Sequence, residues 1–269
     1  MSSNTITSGN ANFQSPVVDV IILAGGDGSV IDPRAPAKGL VLVAGKPMVQ
    51  WVLEALRQSK YVRNIAVVLP PDLDTDSWKD LADHVVFSDG MVSDNIMAAW
   101  RALGADGMVM SITSDIPSVI PAAIDEFVEL TVQSGAQLSY PFISEADTLR
   151  EYPGAQRTFI NLKDGKFTGG NAMILYSEHF EHLRDVGQEI FEARKNPIRM
   201  ANMVGTRFAL RLVAGRLTLN DLQQRVGEII QMKCAALVVK NASIGADVDK
   251  PADIAAVVAK LREMGKIDE

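Results

Sequence analysis

Residues 21–48 read IILAGGDGSVIDPRAPAKGLVLVAGKPM. An apolar run from Val17 to Leu23 enters a loop with glycines at 25, 26 and 28. Lys38 follows ten residues after the last of them, and a second apolar run leads to Gly45-Lys46-Pro47. A buried strand that ends in glycines lets backbone N–H groups approach an anion closely, because no Cβ intervenes. A lysine entering from the far side of the loop adds a full positive charge. The stretch therefore predicts a polyphosphate socket at the end of a strand.

Two common nucleotide motifs are excluded. Gly26-Asp27-Gly28 begins like a dinucleotide fingerprint, but Ile31 stands where the third glycine belongs, and Pro33 and Pro36 forbid the helix that should open there. Gly39 to Lys46 begins like a P-loop, but its spacer is one residue too long, and Pro47 replaces the hydroxyl residue that would bind magnesium. Pro47 reads instead as the first residue of a helix running through Met48 to Gln58.

Outward from this stretch, apolar runs alternate with helical patterns. Ile65–Leu69, Val85–Phe87 and Met108–Ile112 read as further buried strands, with helices at 93–103 (Ser93 as its cap) and 121–133 between and after them. This rhythm predicts an α/β, three-layer Rossmann-like fold, a mainly parallel sheet with helices on both faces. It then breaks. Ala136–Ile143 is strand-like, Thr158–Leu162 and Lys166–Tyr176 flank a hairpin turn at Lys163-Asp164-Gly165, and Ser177 to about Gln231 is helical. Ala235–Val239 is a last strand and Pro251–Met264 a closing helix. The expected organisation is a disordered tail at 1–16 and one domain at 17–269, with a core at 17–176 and 232–269 and a mostly helical insertion at 177–231.

Bulk chemistry narrows the function. A net charge of −7 argues against general nucleic-acid binding. Cys234 is the only cysteine, which excludes a disulfide framework and a thiolate zinc site. No apolar run approaches the roughly 20 residues of a membrane span. The start, MSSNTITSGNANFQS, lacks the basic and apolar parts of a signal peptide, so a cytoplasmic location is expected.

The loop-plus-lysine pattern resembles the nucleotidyltransferases of the nucleotide-diphospho-sugar transferase superfamily, whose members share a GT-A-like fold and include the MobA-like NTP transferases. The family pattern L-A-(G/A)-G-x-G-(S/T)-R, then P-K, then G-(K/R)-P is matched by Leu23-Ala24-Gly25-Gly26-Asp27-Gly28-Ser29, by Ala37-Lys38 and by Gly45-Lys46-Pro47. The family arginine is Val30 here and the proline before the lysine is Ala37; Arg34 is the nearest cation that could replace the arginine. Ser114-Asp115-Ile116-Pro117 resembles the segment whose aspartate holds magnesium, and 247–253 resembles the late segment that brings a second carboxylate.

The resemblance implies that Leu23 through Gly28 line the nucleotide, with the Gly25 to Gly28 amides on its β- and γ-phosphates, that Lys38 is catalytic and neutralises charge on the leaving pyrophosphate, and that Asp115 is both catalytic and a ligand of Mg²⁺ (or Mn²⁺). Asp249 is the first choice for the second ligand and Asp247 the next, with Asp253 a helix-start residue. Asp89 and Asn95 would contact the base. Asn171, in a Gly-Gly-Asn segment, is an acceptor candidate. So are Arg207 and Arg211, within a basic stretch at 194–216 that could steer an anionic acceptor or meet an anionic surface. Each has a bland alternative: a turn-capping Asp115, acids that merely start a helix, a sheet bulge at 169–171, a helix cap at Ser93, and a solvated basic face.

The expected reaction joins an NTP to a phosphorylated small-molecule acceptor and releases pyrophosphate; a homodimer is an open assembly state. A GT-A-type glycosyltransferase and a non-catalytic nucleotide-binding regulator are the rival readings.

Overall fold

The computed structural model of the chain describes residues 16–184, 186 and 196–268. Strand β1 (Val18–Leu23) lies at the centre of the parallel region. It pairs in parallel with β4 (Val62–Leu69) on one side and with β6 (Met108–Thr113) on the other, and β4 pairs in parallel with β5 (His84–Phe87). These strands are near-continuous Val, Ile and Met because helices cover both of their faces. Between β1 and β4 run a short hairpin, β2 (Leu42–Val43) with β3 (Lys46–Pro47), and helix α1 (Met48–Arg57). Pro47 is thus the residue before α1 and not its first turn. The hairpin turns at Ala44 and Gly45, whose φ values of 50° and 78° match the primed turn such hairpins favour. Lys46 serves the packing here: its ammonium lies 3.8 Å from the Trp51 ring centre and 2.8 Å from Glu54.

Helix α2 (Val92–Leu103) joins β5 to β6, and α3 (Pro121–Ser134) follows β6. The cap expected at Ser93 falls instead on Met91, which places Ser93 inside the first turn of α2. Strand β7 (Leu138–Ser144) leads through α4 (Glu145–Glu151) to β8 (Ile160–Leu162), β9 (Gly165–Gly169) and β10 (Ala172–Tyr176). Strand β10 is antiparallel to both β6 and β7 and lies between them. The single strand expected over 166–176 is therefore two, and packing explains the break. A Cβ at Gly169 would lie 2.8 Å from the Tyr140 hydroxyl, and one at Gly170 would lie 2.8 Å from Pro141 Cγ. The chain is pressed closely against β7 there, then pairs with β7 again and gains β6 as a second partner.

Helices α5 (Pro197–Val204), α6 (Thr206–Val213) and α7 (Leu219–Ile230) precede β11 (Cys234–Val239), which pairs in parallel with β7, and α8 (Pro251–Glu263) closes the chain. Thr218 and Asp221 cap α7 reciprocally, each side chain accepting the other's backbone N–H. The nine-stranded sheet separates two apolar layers. Val20, Ile22, Val67 and Met110 pack against α1 and α3 on one face. Ile21, Val68, Val109 and Leu175 face α2 and the end of α7 on the other. This is the predicted three-layer arrangement, and among the described residues no helix is long and apolar enough to cross a membrane.

Asp19, the one charged residue of β1, is fully buried. It survives there because Arg63 donates two hydrogen bonds at 3.0 and 2.6 Å and Asn64 donates through its backbone and side chain. Arg63→Ala leaves this carboxylate with Asn64 alone. Its expected cost is about 3 kcal/mol, the low end for breaking a buried pair because Asn64 still donates. Urea unfolding measures it, and a loss below about 1 kcal/mol would show that water reaches Asp19 freely.

Candidate functional site

The glycine loop closes on itself at the carboxyl edge of β1. Ala24 N–H donates to Val68 O, which keeps the chain in line with β4 for one more residue. On return, Lys38 N–H donates to Gly26 O at 3.0 Å and Gly39 N–H to Ala24 O at 3.1 Å. Inside the ring, Ile31 and Asp32 N–H both donate to Gly28 O. Asp27 Oδ1 accepts from Ser29 N–H at 2.8 Å, and the Ser29 hydroxyl, with this N–H, holds its carboxyl below the usual range. Gly39 is the closing contact. A Cβ there would lie 2.8 Å from Ala24 Cβ, Ala24 O and Ser114 Oγ.

That closure aims Lys38. Its ammonium lies 2.5 Å from Asp115 Oδ2 and 2.6 Å from Asp249 Oδ1. Burial works against its charge, but Asp115 and then Asp249 outweigh burial and raise its pKa above the ordinary lysine value. Asp115 lies just beyond β6, the neighbour of β1, and is buried. Thr113 donates to its other oxygen at 2.5 Å, and its carbonyl accepts from Val248 N–H at 2.9 Å. This last bond sets the 247–249 segment beside Asp115. Oxygen atoms of Asp115, Asp247 and Asp249 lie within 4.8 Å of one another. Asp253 stands apart from them. Its Oδ2 accepts from the N–H groups of Asp249 and Lys250 at 3.0 Å each, so it starts α8, as read from the sequence.

Arg157 completes the cluster and carries no sequence signal. It lies in the irregular segment between α4 and β8 and makes an ion pair with Asp247. Burial pulls its guanidinium below the ordinary arginine value, against the opposing field of Asp249, Asp115 and Asp253. The neighbouring Gln156 accepts from the Lys250 ammonium at 2.8 Å, tying this segment to the start of α8.

The other sequence candidates divide by place. Asn171 sits beside β6: its carbonyl accepts from Thr113 N–H at 3.0 Å, and its side-chain Nδ2 is buried with no partner. Asp89 is exposed in the turn after β5, and Asn95 accepts from Ser88 at 2.6 Å; this turn lies on the same carboxyl edge as the glycine loop. Arg207 and Arg211 do not join the cluster. They surround a separate depression of about 290 Å³ on α6, where Arg211 lies 3.8 Å from Asp221. Arg34 does not supply the absent arginine. It points to solvent, 88% exposed, and binds Asp32 at 3.0 Å, while Val30 is itself 65% exposed. His179 bonds Gln137 and His182 the Ile230 carbonyl, so the two share no ligand position.

The donor set suits a hard divalent cation. It offers carboxylate oxygens only, from three residues, and the Lys38 ammonium already bonds two of them where positive charge is favoured.

The family profile and the cytidylyltransferase relatives put this fold in the nucleotide-diphospho-sugar transferase superfamily. Within it, the chain belongs to the MobA-like NTP transferase domain family, whose sequence profile matches residues 20–195. A solved structure described as a hypothetical transferase from Thermus thermophilus superimposes with a TM-score of 0.78 at 28% identity, covering 88% of this chain and 99% of that one. A 2-C-methyl-D-erythritol 4-phosphate cytidylyltransferase of Frankia casuarinae is 31% identical over 140 residues, 51% of this chain and 52% of the relative. A 3-deoxy-manno-octulosonate cytidylyltransferase of Pseudomonas fluorescens is 33% identical over 102 residues, 35% of this chain and 38% of the relative. The chain thus spans about half or less of the length of these curated relatives.

Gly39→Ala is expected to lower stability by about 1–3 kcal/mol through overpacking. Because Gly39 adjoins Lys38, it should also weaken triphosphate binding measured by calorimetry on the folded fraction. Unchanged stability and binding together would show that the loop does not close as described.

Proposed function

We propose that the chain is a nucleotidyltransferase that moves an NMP group from an NTP to a phosphorylated small-molecule acceptor and releases pyrophosphate. The observation that carries this reading is the Lys38 ammonium, held by Asp115 and Asp249 at the rim of the glycine loop. Family membership and the cytidylyltransferase relatives support it, and they make CTP the first NTP to test.

An acceptor phosphate is already ionised near neutral pH, so no protein base is needed. Catalysis reduces to placement and charge. The segment Gly25 to Gly28 presents backbone N–H groups to the β- and γ-phosphates, and the lack of a Cβ at its glycines allows close approach. Lys38 exchanges its carboxylate partners for phosphate oxygens and stabilises the charge that builds on pyrophosphate. Asp115, Asp247 and Asp249 would hold a divalent cation, Mg²⁺ or Mn²⁺, which supplies further charge neutralisation at the phosphates. Arg157 and the unpartnered Asn171 amide supply donors for the acceptor phosphate. Asp89 and Asn95 border the base. Arg207 and Arg211, remote from this cluster, act at most in steering anions.

The glycosyltransferase reading has less support. Asp115 is the single acid at the end of β6, and the glycine loop with its lysine suits a free triphosphate.

The test is pyrophosphate release from each common NTP with Mg²⁺ and phosphorylated acceptors. Lys38→Ala is expected to lower kcat by about 10²- to 10³-fold, as for loss of one transition-state electrostatic contact. Near-normal turnover would remove Lys38 from the mechanism. For the cation, Mn²⁺ binding followed by electron paramagnetic resonance should weaken sharply in Asp115→Asn and Asp249→Asn but not in Asp253→Asn. Equal affinity in all three variants would place the cation elsewhere.

A further inference from the structure

A cavity of about 530 Å³ lies between the sheet and helices α2 and α7. This is within the range of small-molecule pockets. Its described lining is apolar: Ile96 and Met97 from α2, Leu138 from β7, Leu175 from β10, Ile230 from α7, and Phe180. Two features keep it open. Ala235 and Ala236 of β11 are small, and the Phe180 ring stacks on Trp100 at 5.2 Å.

The polar groups in this lining already have partners. Gln223 accepts from Ala236 N–H at 3.0 Å and donates to Asn220 at 3.2 Å. The Tyr140 hydroxyl donates to Gly170 O at 2.7 Å, and Ser93 and Arg184 have partners of their own. A polyhydroxylated ring placed here would leave hydroxyls unpaired, which is costly, whereas an alkyl chain needs no partner.

Two parts of the lining adjoin segments of the site. Val92 and Ser93 follow directly on the turn that holds Asp89. Tyr140 bonds the residue before Asn171 and lies within the electrostatic reach of Arg157. Phe142 and Leu222 of the lining also pack against the small core of Leu162, Phe167, Leu217 and Leu219, which Phe208 and Leu212 of α6 cover as well, while Leu210 and Val213 of that helix are 72% and 89% exposed.

We propose that this cavity binds the apolar chain of an amphiphilic phosphate, with the phosphate at Arg157 and Asn171, and that this amphiphile is the acceptor. The acceptor role rests on the nucleotidyl-transfer reading; the apolar-chain site stands on the lining alone.

Calorimetry with butyl, octyl and dodecyl phosphate below their micellar concentrations tests the site. Affinity should rise by up to about fourfold per added methylene until the cavity is full. Dodecyl phosphate should also slow iodoacetamide alkylation of Cys234, which lines the cavity. Burial pushes that thiol up to about 11, so the reaction is run at alkaline pH. Val226→Trp, at a lining position that is 41% exposed, should keep the wild-type melting temperature and flatten the chain-length dependence.

Affinity independent of chain length, or unprotected Cys234, would overturn the proposal. So would a dimer, seen by sedimentation, that Val226→Trp dissociates and dodecyl phosphate leaves intact, because a second copy would then cover the cavity. Dodecyl phosphate offered free or in phosphatidylcholine vesicles tells a soluble amphiphile from a membrane lipid, and binding from either source supports the site. Two results separate the readings. Chain-length-dependent binding with no pyrophosphate release from any NTP keeps the cavity site and removes the transferase. Turnover on glycerol 3-phosphate as efficient as on octyl phosphate keeps the transferase and removes the apolar acceptor.

Discussion

The contact on which the site depends is the Lys38 ammonium held between Asp115 and Asp249. Its partners come from positions 77 and 211 residues along the chain, so no local conformation could bring them together. The sheet does it with backbone bonds. Ser114 N–H donates to Leu23 O, joining the ends of β6 and β1. Gly39 N–H folds the loop back onto Ala24, and Val248 N–H fixes the late acidic segment to the Asp115 carbonyl. Three main-chain bonds therefore position three charged side chains, which leaves little rotamer freedom to be lost when a ligand arrives.

The charges explain why the cluster calls for ligands. Three carboxylates face two cations, Lys38 and Arg157, within a partly buried volume. Like charges this close repel unless something positive separates them. Lys38 now does that for Asp115 and Asp249, and Arg157 for Asp247. In the proposed reaction a triphosphate would compete for Lys38, and a divalent cation for the acids that Lys38 would leave. Each exchange removes the partner that would oppose the other, so the two ligands are expected to enter together at lower cost than either alone.

Much of this was legible in the sequence because it is local. The glycines at 25, 26 and 28, the lysine at 38 and the acid after an apolar run each follow from what a strand end and a tight loop require. Asp115 and Asp249 could be paired only through the family resemblance, since spacing alone does not say that two acids meet. Arg157 was not legible. It stands in an irregular segment, and its importance comes from Asp247 reaching it across the fold. Arg34 misled for the opposite reason: it lies close in sequence to the loop, but Asp32 two residues away offers a fork-shaped partner that holds it in solvent. Ser93 misled because α2 is capped two residues earlier than its hydroxyl suggested, with no side-chain cap at Met91.

The cavity was hidden in the alternation itself. Leu138, Tyr140 and Phe142 on β7, with Met173 and Leu175 on β10, read as one apolar strand face that ought to be covered. Where a face meets a helix of matching bulk, it becomes core, as Ile21 and Val68 do under α2. At this end of the sheet the antiparallel β10 is inserted between β6 and β7, and β11 contributes alanines where a filled core would place larger side chains. The space left is therefore set by residue size on β11 and by strand order, and neither is visible from periodicity. The same alternation also sends Tyr140 into this space while its hydroxyl is tied to the Gly170 carbonyl. An aromatic wall fixed in that way sets the apolar lining next to the Gly170–Asn171 turn, and a molecule with one apolar end and one anionic end is what such a neighbourhood would favour.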